Sequence, residues 1–289
     1  MTLISGRGET ALPRVVTVLA TTLSLVGKAD WLAAGVACDL VLSECDGDSP
    51  EATARGAIGR AAIDVLVQPV AGRRKRVLVA DLESTIIENE MLEELADFIG
   101  LRAHVAEITR RAMNGELDFA AALTERVALL KDLPEAVLDE AAARIRLTQG
   151  AHTLVATMRT AGARTALVSG GFTVFAEPVA AQLGFDRVVA NRLDIADGRI
   201  AGTVRAPIVT GATKRDSLLA LAAECGVAPS ATLAVGDGAN DLPMLQAAGL
   251  GVAFHAKPAV AAAARRRIDH ADLTALLYAQ GYRQSEFAR

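Results

Sequence analysis

The chain has 289 residues, of which 52% are hydrophobic and 22% are charged, and its formal net charge is −4. This apolar content excludes intrinsic disorder as the main state, and the length indicates more than one average domain and fewer than three, at about 100–200 residues per domain. The negative charge and an aromatic content of only 3% argue against nucleic acid as the main partner.

The three cysteines are too few for a disulfide framework. They are Cys38, Cys45 and Cys225, and no two of them have the Cys-x-x-Cys spacing found in redox and many zinc motifs. Such sparse use of cysteine favours a reducing compartment, so we expect a cytoplasmic protein.

The first elements in chain order predict a small N-terminal α/β module over residues 1–72. The apolar run Val15–Val26 is interrupted by threonines and a serine and is far shorter than the roughly 20 residues of a membrane span. We expect it to be a buried strand or helix rather than a signal peptide. Strands at Gly35–Leu42 and Ile63–Val70 are predicted to flank a helix at Pro50–Ala62. This module contains no motif that indicates a chemical role.

A basic run, Gly72-Arg73-Arg74-Lys75-Arg76, separates this module from the rest of the chain. Four positive charges in an otherwise acidic chain predict a solvated linker rather than a nucleic-acid patch.

After the linker, short β-branched runs alternate with longer alanine-rich helical segments, which is the pattern of parallel βαβ units. The predicted strands are Val77–Ala80, Thr165–Val168, Val188–Ala190, Thr232–Val235 and Gly251–Phe254. We therefore predict an α/β fold with a doubly wound, Rossmann-like parallel sheet built from residues 73–87 and 147–289.

A long helical stretch separates the first two of these strands. Residues 88–146 show helical periodicity without a strand pattern, and they are too many for one crossover connection. We predict that they form a helical cap, inserted after the first strand and lying over the sheet. Further along, Leu193–Val204 is predicted to form a hairpin that turns at Asp197-Gly198, because Asp-Gly is a favoured two-residue turn.

Polar motifs follow the predicted strands, at the edge where open α/β sheets bind their ligands. They are Asp81-Leu82-Glu83-Ser84-Thr85 after the first strand, Ser169-Gly170-Gly171-Phe172 after the second and Gly236-Asp237-Gly238-Ala239-Asn240-Asp241 after the fourth, with Lys214 near the start of a helical segment. Each motif alone is weak, because helix caps and plain turns have similar compositions. Their joint occurrence at one edge strongly indicates a common site.

The residue types at this edge suit phosphoryl transfer with Mg²⁺. Asp81 and Asp237 supply the hard oxygen ligands that this ion prefers beside waters and substrate phosphate. The Ser169 hydroxyl and the Gly170-Gly171 amides can approach phosphate oxygens, and Lys214 places positive charge beside an anionic nucleophile. The chain has no Walker sequence, and its four histidines show no ligand or triad spacing.

These motifs resemble those of the haloacid-dehalogenase superfamily and, within it, of bacterial phosphoserine phosphatases with a short N-terminal domain. The family's Asp-x-Asp-Ser-Thr appears as Asp81–Thr85, its Ser-Gly-Gly-Phe as Ser169–Phe172, its lysine as Lys214, and its Gly-Asp-Gly-Ala-Asn-Asp without change as Gly236–Asp241. The resemblance continues into the cap at Asn89-Glu90, Ala112-Met113, Phe119 and Arg126–Pro134. It extends from about Leu66 to Ala279.

The resemblance implies Mg²⁺-dependent hydrolysis of O-phospho-L-serine to L-serine and phosphate, the last step of serine biosynthesis, through an aspartyl-phosphate. Asp81 would be the nucleophile, Glu83 the general acid–base, and Lys214 a further catalytic residue. Asp81, Asp237 and the carbonyl of Glu83 would ligate Mg²⁺, with support from Asp241. Substrate contacts are implied for Glu90, Met113, Phe119, Arg126, Ser169, Gly170, Gly171, Lys214 and Asn240, with Glu90 and Arg126 pairing with the ammonium and carboxylate of serine.

One position departs from the family pattern, because Glu83 stands where the family usually has aspartate. Glutamate keeps the acid–base chemistry but adds a methylene, and a misplacement of about 1 Å can cost about 100-fold in rate. Two alternatives to phosphoserine hydrolysis therefore stay open. One is another small-molecule phosphatase or phosphotransferase, for example with homoserine as acceptor, and the other is a catalytically weak, ligand-binding relative. We expect a small phosphomonoester as partner, no nucleic acid and no membrane, with a homodimer as one candidate assembly.

Overall fold

Two separate β-sheets organise the chain in the computed structural model, which describes residues 1–43 and 49–288. Cys38 is buried and Cys225 is half-buried, and both are free thiols. Cys45 lies outside the described residues. The structure therefore bears on the expectation that the cysteines form no disulfide framework only at Cys38 and Cys225.

The first sheet belongs to a β-α-β-β-α-β unit at the N-terminus, which the sequence predicts as a small α/β module. Its elements are β1 (Thr2–Ser5), α1 (Leu12–Thr22), β2 (Asp30–Ala33), β3 (Ala37–Asp39), α2 (Pro50–Ile58) and β4 (Ile63–Leu66). The strands pair antiparallel in the order β2-β3-β1-β4. The apolar run around residue 19 forms α1, whose buried face repeats at Leu12, Val15, Val16 and Leu19, the spacing of an amphipathic helix. The sequence pattern predicts neither β1 nor β2.

The second sheet forms the core and confirms the predicted parallel architecture. Its strands are β5 (Val77–Ala80), β6 (Arg164–Phe172), β7 (Arg187–Ala196), β8 (Arg199–Arg205), β9 (Thr232–Gly236), β10 (Leu250–Phe254) and β11 (Arg267–Ile268). Their order is β11-β10-β9-β5-β6-β7-β8, and neighbours are parallel except for β7 and β8. The chain leaves β5 toward β6 on one side and later reaches β9 on the other. The end of β5 is therefore a topological switch point, where ligands bind in such sheets.

Two strands are longer than the sequence predicts. The predicted strand Val188–Ala190 and the first arm of the predicted hairpin are one strand, β7, which turns into β8 at Asp197-Gly198. Both turn residues have positive φ, as this type of two-residue turn requires. The strand β6 continues past its predicted end because Phe172 pairs again with Asn191 after a shift of register.

Four helices between β5 and β6 form the predicted cap. They are α3 (Met91–Asp97), α4 (Arg102–Met113), α5 (Phe119–Ala128) and α6 (Val137–Ala142). The cap joins the core at two adjacent points, because Ile87 lies opposite Leu147 in an antiparallel bridge and the Glu88 amide donates to the carbonyl of Arg146. The cap is held to the core at one further place, because residues 132–135 pair by backbone hydrogen bonds with the hairpin between β7 and β8, where Pro134 lies opposite Arg199.

Helices cover both faces of the core sheet, which confirms the doubly wound fold. They are α7 (Ala151–Thr160), α8 (Thr173–Leu183), α9 (Gly211–Glu224), α10 (Leu242–Ala247), α11 (Pro258–Ala263) and α12 (Ala275–Ala279). One face packs under α7, α8 and α12, and the other under α9, α10 and α11. Strand β5 serves both cores, with Leu78 on one face and Val77 and Val79 on the other, as expected of a strand buried on two sides. Among the helices of residues 1–43 and 49–288, none has both the length and the apolar character needed to cross a membrane.

The basic linker is partly buried, so the prediction of a solvated linker is wrong at Arg73 and Lys75, while Arg74 and Arg76 are exposed. Lys75 is only 8% exposed, and its ammonium donates to the carbonyls of Gly72 and Ser230. Arg73 forms a 2.6 Å ion pair with the buried carboxylate of Asp39. These charges join the N-terminal unit to the core, and charge-assisted hydrogen bonds offset their loss of hydration.

Asp64 on β4 also holds the N-terminal unit against the core. Its carboxylate is 3% exposed and accepts the backbone N–H groups of Asp269, His270 and Ala271 at 2.8, 3.2 and 2.8 Å. Burial raises the pKa of Asp64, although these three N–H groups act in the opposite direction. The loop that follows β11 is therefore fixed to the N-terminal sheet.

Candidate active site

The predicted site residues meet at the carboxyl end of β5, between β6 and β9. Asp81 directly follows β5, and Ser169 and Asp237 come from the ends of the two neighbouring strands. The cap closes over them and leaves a cavity of about 10 Å³, which is room for about one water molecule. Twelve residues line it: Asp81, Glu83, Glu90, Leu92, Met113, Phe119, Leu123, Arg126, Ser169, Gly170, Asp237 and Asn240. Nearly all the residues that the sequence predicts for the site are thus brought together.

Lys214 does not line the cavity but binds the carboxylate of Asp81, which does, and that of Asp241. It is fully buried, with its ammonium 2.7 Å from Asp81 Oδ1 and 2.6 Å from Asp241 Oδ1. Helix α9 places it in a first turn that is fixed by a capping box between Thr210 and Thr213. This arrangement orients the Asp81 carboxylate and supplies positive charge next to it.

The acidic cluster beside Lys214 fits a divalent cation. Asp81, Asp237 and Asp241 each bring a carboxylate oxygen within 4.8 Å of the others. Asp241 is already engaged by Lys214 and by a backbone N–H. Asp237 Oδ2 is buried and receives no hydrogen bond from the part of the chain that the structure describes, with Lys257 Nζ 3.4 Å away. A buried carboxylate oxygen without a donor is costly, and a cation held by Asp81 and Asp237 would satisfy it.

The pKa shifts in this cluster show its excess of negative charge. Burial and Asp241 raise the pKa of Asp81 to about 7, although Lys214 opposes them. Burial and the nearby Glu90 raise the pKa of Asp237 well above its usual range. Burial would lower the pKa of Lys214, but the two carboxylates outweigh it and raise that pKa. A divalent cation would favour the ionised form of both aspartates.

Glu83 directs its carboxyl group toward the first residue of the cap helices. Its Oε1 accepts the backbone N–H of Met91 at 3.1 Å. The carboxyl also lies against Gly171, where a Cβ atom would come within 2.9 Å of Oε1, so this glycine gives room to the longer side chain. Burial, together with Glu90 and Asp81, raises the pKa of Glu83 to about 8. The group is therefore mostly protonated at neutral pH.

Arg126 enters the cavity from α5 and is held by two hydrogen bonds. It is 3% exposed, its Nε donates to the Ala122 carbonyl at 3.0 Å, and its Nη1 donates to Thr109 Oγ1 at 2.8 Å. Burial lowers the pKa of Arg126, while Glu83 and Glu90 act against that shift. A guanidinium has five N–H donors, so donors remain for a ligand in the cavity.

Ser84 holds the Glu90 side chain in place, because its hydroxyl donates to Glu90 Oε1 at 2.6 Å. The backbone of Ser84 has a φ of 52°, a left-handed conformation that is uncommon for serine. The turn after Asp81 is thus held in an unusual shape that places Ser84 beneath a cap residue.

Two cap side chains close onto glycines of the core. The ring of Phe119 lies against Gly170, where a Cβ atom would overlap it, and a Cβ at Gly238 would come within 2.6 Å of Met113 Sδ. Larger residues at these two positions would keep the cap from closing. The glycines in the two core motifs are therefore explained by this close approach.

The irregular last part of β6, Ser169–Phe172, differs in one detail from the sequence expectation. The Gly171 N–H, expected near a phosphate, donates to Ser169 Oγ at 2.9 Å. Asn191 supports the same part of β6, because its amide donates to the Gly170 carbonyl at 2.7 Å and accepts the Val209 N–H at 2.7 Å. Sequence analysis does not identify this asparagine, although its place directly after a predicted strand is a usable signal.

The remaining residues missed by sequence analysis lie in the cap, except Lys257, which directly precedes α11 in the core. Leu92 and Leu123 line the cavity, Thr109 holds Arg126, and Lys257 approaches Asp237. None of them lies in a motif with a recognisable spacing.

The fold and the site define a haloacid dehalogenase-like hydrolase. The sequence model of that family matches residues 78–246, which is more than half of the chain and includes the cap. The chain therefore belongs to the haloacid dehalogenase-like hydrolase family, and the superfamily resemblance is confirmed.

Within this family, the chain is similar to phosphoserine phosphatases. It is 46% identical over 224 residues to the phosphoserine phosphatase of Streptomyces coelicolor, which is 78% of this chain and 55% of that protein. The chain thus spans about half the length of this curated relative.

Two solved structures are similar to the chain in three dimensions. The phospho-aspartyl intermediate analogue of a phosphoserine phosphatase matches with a TM-score of 0.68 and 38% identity, over 71% of this chain and 98% of that one. A HAD family hydrolase from Salmonella enterica serovar Typhi matches with a TM-score of 0.82 and 30% identity, over 96% of both chains. The second similarity includes the N-terminal unit.

Proposed function

We propose that this chain hydrolyses O-phospho-L-serine to L-serine and phosphate with the help of Mg²⁺, as the last step of serine biosynthesis. One observation carries the proposal: Glu90 and Arg126 line the same small cavity as Asp81, the candidate nucleophile. A carboxylate and a guanidinium complement the ammonium and the carboxylate of an amino acid. The similarity to phosphoserine phosphatases and to a phospho-aspartyl analogue supports the same substrate and intermediate.

The proposed reaction has two steps. Asp81 attacks phosphorus while Glu83 gives its proton to the departing serine oxygen, which leaves an aspartyl-phosphate and free serine. The ionised Glu83 then takes a proton from a water that attacks the phosphoryl group, which releases phosphate and restores Asp81. Lys214 stabilises the charge on Asp81 in both steps. When Mg²⁺ is bound, it supplies charge stabilisation for the phosphoryl oxygens.

Binding of the substrate requires the cap to open. The closed cavity of about 10 Å³ is far too small for phosphoserine. The two chain connections at Ile87 and Leu147 lie side by side, so opening of the cap has to break the backbone hydrogen bonds between residues 132–135 and the β7–β8 hairpin. We therefore propose that residues 88–146 act as a cap domain over a core formed by 73–87 and 147–289, with 1–72 as a separate domain. This division is supported by the two separate sheets and the double connection.

Removal of divalent cations is expected to lower phosphoserine turnover by at least about 100-fold, because a bound metal contributes several kcal/mol of charge stabilisation. Added Mg²⁺ should restore it. The rate of phosphate release, measured after thorough chelation and again after adding Mg²⁺, checks this expectation. Undiminished activity after chelation would contradict the proposed metal site.

Replacing Arg126 with alanine is expected to reduce kcat/KM for phosphoserine by about 100-fold, because the substrate carboxylate loses a charged partner in a buried site. An aryl phosphate without a carboxylate should lose far less. Steady-state kinetics on both substrates provide the test, with Arg111→Ala as a control, since Arg111 is an exposed arginine of the same cap that pairs with Glu116. Equal losses on both substrates would mean that Arg126 has only a structural role.

A further inference from the structure

Lys257 is a positively charged residue beside the candidate site that the proposed reaction does not use. It directly precedes α11, its side chain is 31% exposed, and its ammonium lies 3.4 Å from Asp237 Oδ2. That oxygen is buried and receives no hydrogen bond from residues 1–43 and 49–288. We propose that Lys257 balances the charge of Asp237 while no metal is bound, moves away when Mg²⁺ binds, and thereby sets the affinity of the site for the ion.

The place of Lys257 in the fold does not by itself explain a lysine there. Its backbone N–H donates to the Asp237 carbonyl at 3.2 Å, a contact that any residue except proline can make. Lysine is not a helix-capping residue, and positive charge is unfavourable at a helix N-terminus. Burial would lower the pKa of this ammonium, but Asp237, Glu90 and Glu93 outweigh burial and raise it. The carboxylates that face the ammonium therefore account for its charge.

The two lysines near the metal ligands are held differently. Lys214 is fully buried, and its ammonium lies within 2.7 Å of both Asp81 and Asp241. Lys257 is partly exposed, and its longer ion pair with Asp237 includes no hydrogen bond to Oδ2. Charge-assisted hydrogen bonds are much stronger than such a contact. Lys257 can therefore leave its carboxylate at a small cost, whereas Lys214 is fixed.

Space for this movement lies on the other side of Lys257. The residue also lines a cavity of about 670 Å³ between the N-terminal unit and the core. The walls of that cavity include Glu88 and Asp272, so negative charge is present there as well. The flexible four-carbon side chain of lysine can turn away from Asp237 without entering apolar surroundings.

A metal ion and the Lys257 ammonium would share the carboxylate of Asp237. Two positive charges that share one carboxylate repel each other. Removing the charge of Lys257 should therefore strengthen Mg²⁺ binding. The same change should destabilise the metal-free protein, because the buried Asp237 then loses its ion pair.

Calorimetric titration of the full chain with Mg²⁺, in metal-free buffer and without substrate, measures this affinity. Lys257→Met keeps the apolar stem of the side chain and removes its charge, so it should bind Mg²⁺ about tenfold more tightly than the wild type. Lys257→Arg keeps the charge and should bind as the wild type does. Lys28→Met removes the charge of an exposed lysine in the N-terminal unit, and as the matched control it should leave the affinity unchanged.

Thermal unfolding distinguishes this role from a purely structural one. Without metal, Lys257→Met should unfold at a lower temperature than the wild type. In saturating Mg²⁺ the difference should disappear, because the tighter-binding variant gains more stability from the ion. A fall of equal size in both conditions would overturn the proposal, as would an affinity of Lys257→Met for Mg²⁺ no higher than that of the wild type.

This role of Lys257 rests on the Mg²⁺ site proposed above and not on the reaction. If the wild type binds no Mg²⁺, the metal site and the role of Lys257 are both refuted. If the wild type and Lys257→Met bind Mg²⁺ equally, only the role of Lys257 is refuted. Neither measurement uses phosphoserine, so a different substrate would leave both conclusions unchanged.

Discussion

Asp81→Asn is expected to lower phosphoserine turnover by on the order of 1,000-fold or more, the scale of loss when a covalent nucleophile is removed. An amide does not attack phosphorus, so the aspartyl-phosphate does not form. The fold should persist, because Lys214 keeps its 2.6 Å ion pair with Asp241 and no buried charge loses all its partners. Steady-state kinetics and thermal unfolding of the variant and the wild type measure the two effects.

Asp139→Asn is a matched control, since Asp139 is an exposed aspartate of α6 that does not line the cavity. It should retain full activity. Beryllofluoride, which mimics a phosphoryl group, should form its adduct on Asp81 of the wild type. An adduct on any other residue, or near-normal turnover by Asp81→Asn, would remove Asp81 from the role of nucleophile.

The core of the fold is well predicted because its strands are continuous apolar runs between polar motifs. Val77–Ala80 is buried on both faces of the sheet, so its sequence has no competing amphipathic pattern. The N-terminal strands β1 and β2 read Thr-Leu-Ile-Ser and Asp-Trp-Leu-Ala, and neither is a continuous apolar run or an alternation of apolar and polar residues. The buried part of the linker is missed for another reason: Arg73 pairs with Asp39 of the N-terminal sheet, a contact that the local charge pattern does not contain.

The candidate site likewise contains residues that the sequence predicts and residues that only the packing of the cap reveals. Asp81, Ser169 and Asp237 are predictable because a parallel sheet brings the ends of its strands to one edge. The contact of Thr109 with Arg126 depends instead on how α4 packs against α5 within the cap. The leucines at 92 and 123 reach the cavity only because the cap closes, and closure is set by tertiary packing rather than by any local motif.

Glu83→Gln is expected to lower phosphoserine turnover by about 100- to 10,000-fold, the usual contribution of general acid–base catalysis. Glutamine has the same size and keeps an oxygen that can accept the Met91 N–H, but it has no proton to give to the serine oxygen. An aryl phosphate has a leaving group that needs little protonation. It should still phosphorylate Asp81 in a rapid burst, followed by a slow second step that lacks its base. Glu177→Gln, at an exposed position on α8, serves as the control.

Glu83→Asp then distinguishes phosphoserine from another substrate of the same chemistry. The glutamate reaches the Met91 N–H at the start of the cap, and aspartate is too short to keep that contact while the cap is closed. If phosphoserine is the substrate, the shorter carboxyl is displaced by about 1 Å from its working position, and turnover should fall by about 100-fold. A higher rate on phosphoserine would keep Glu83 as the acid–base but would show that its length serves a different leaving group. That result would favour another small-molecule phosphatase or a phosphotransferase, because the added methylene would then match an alcohol other than serine.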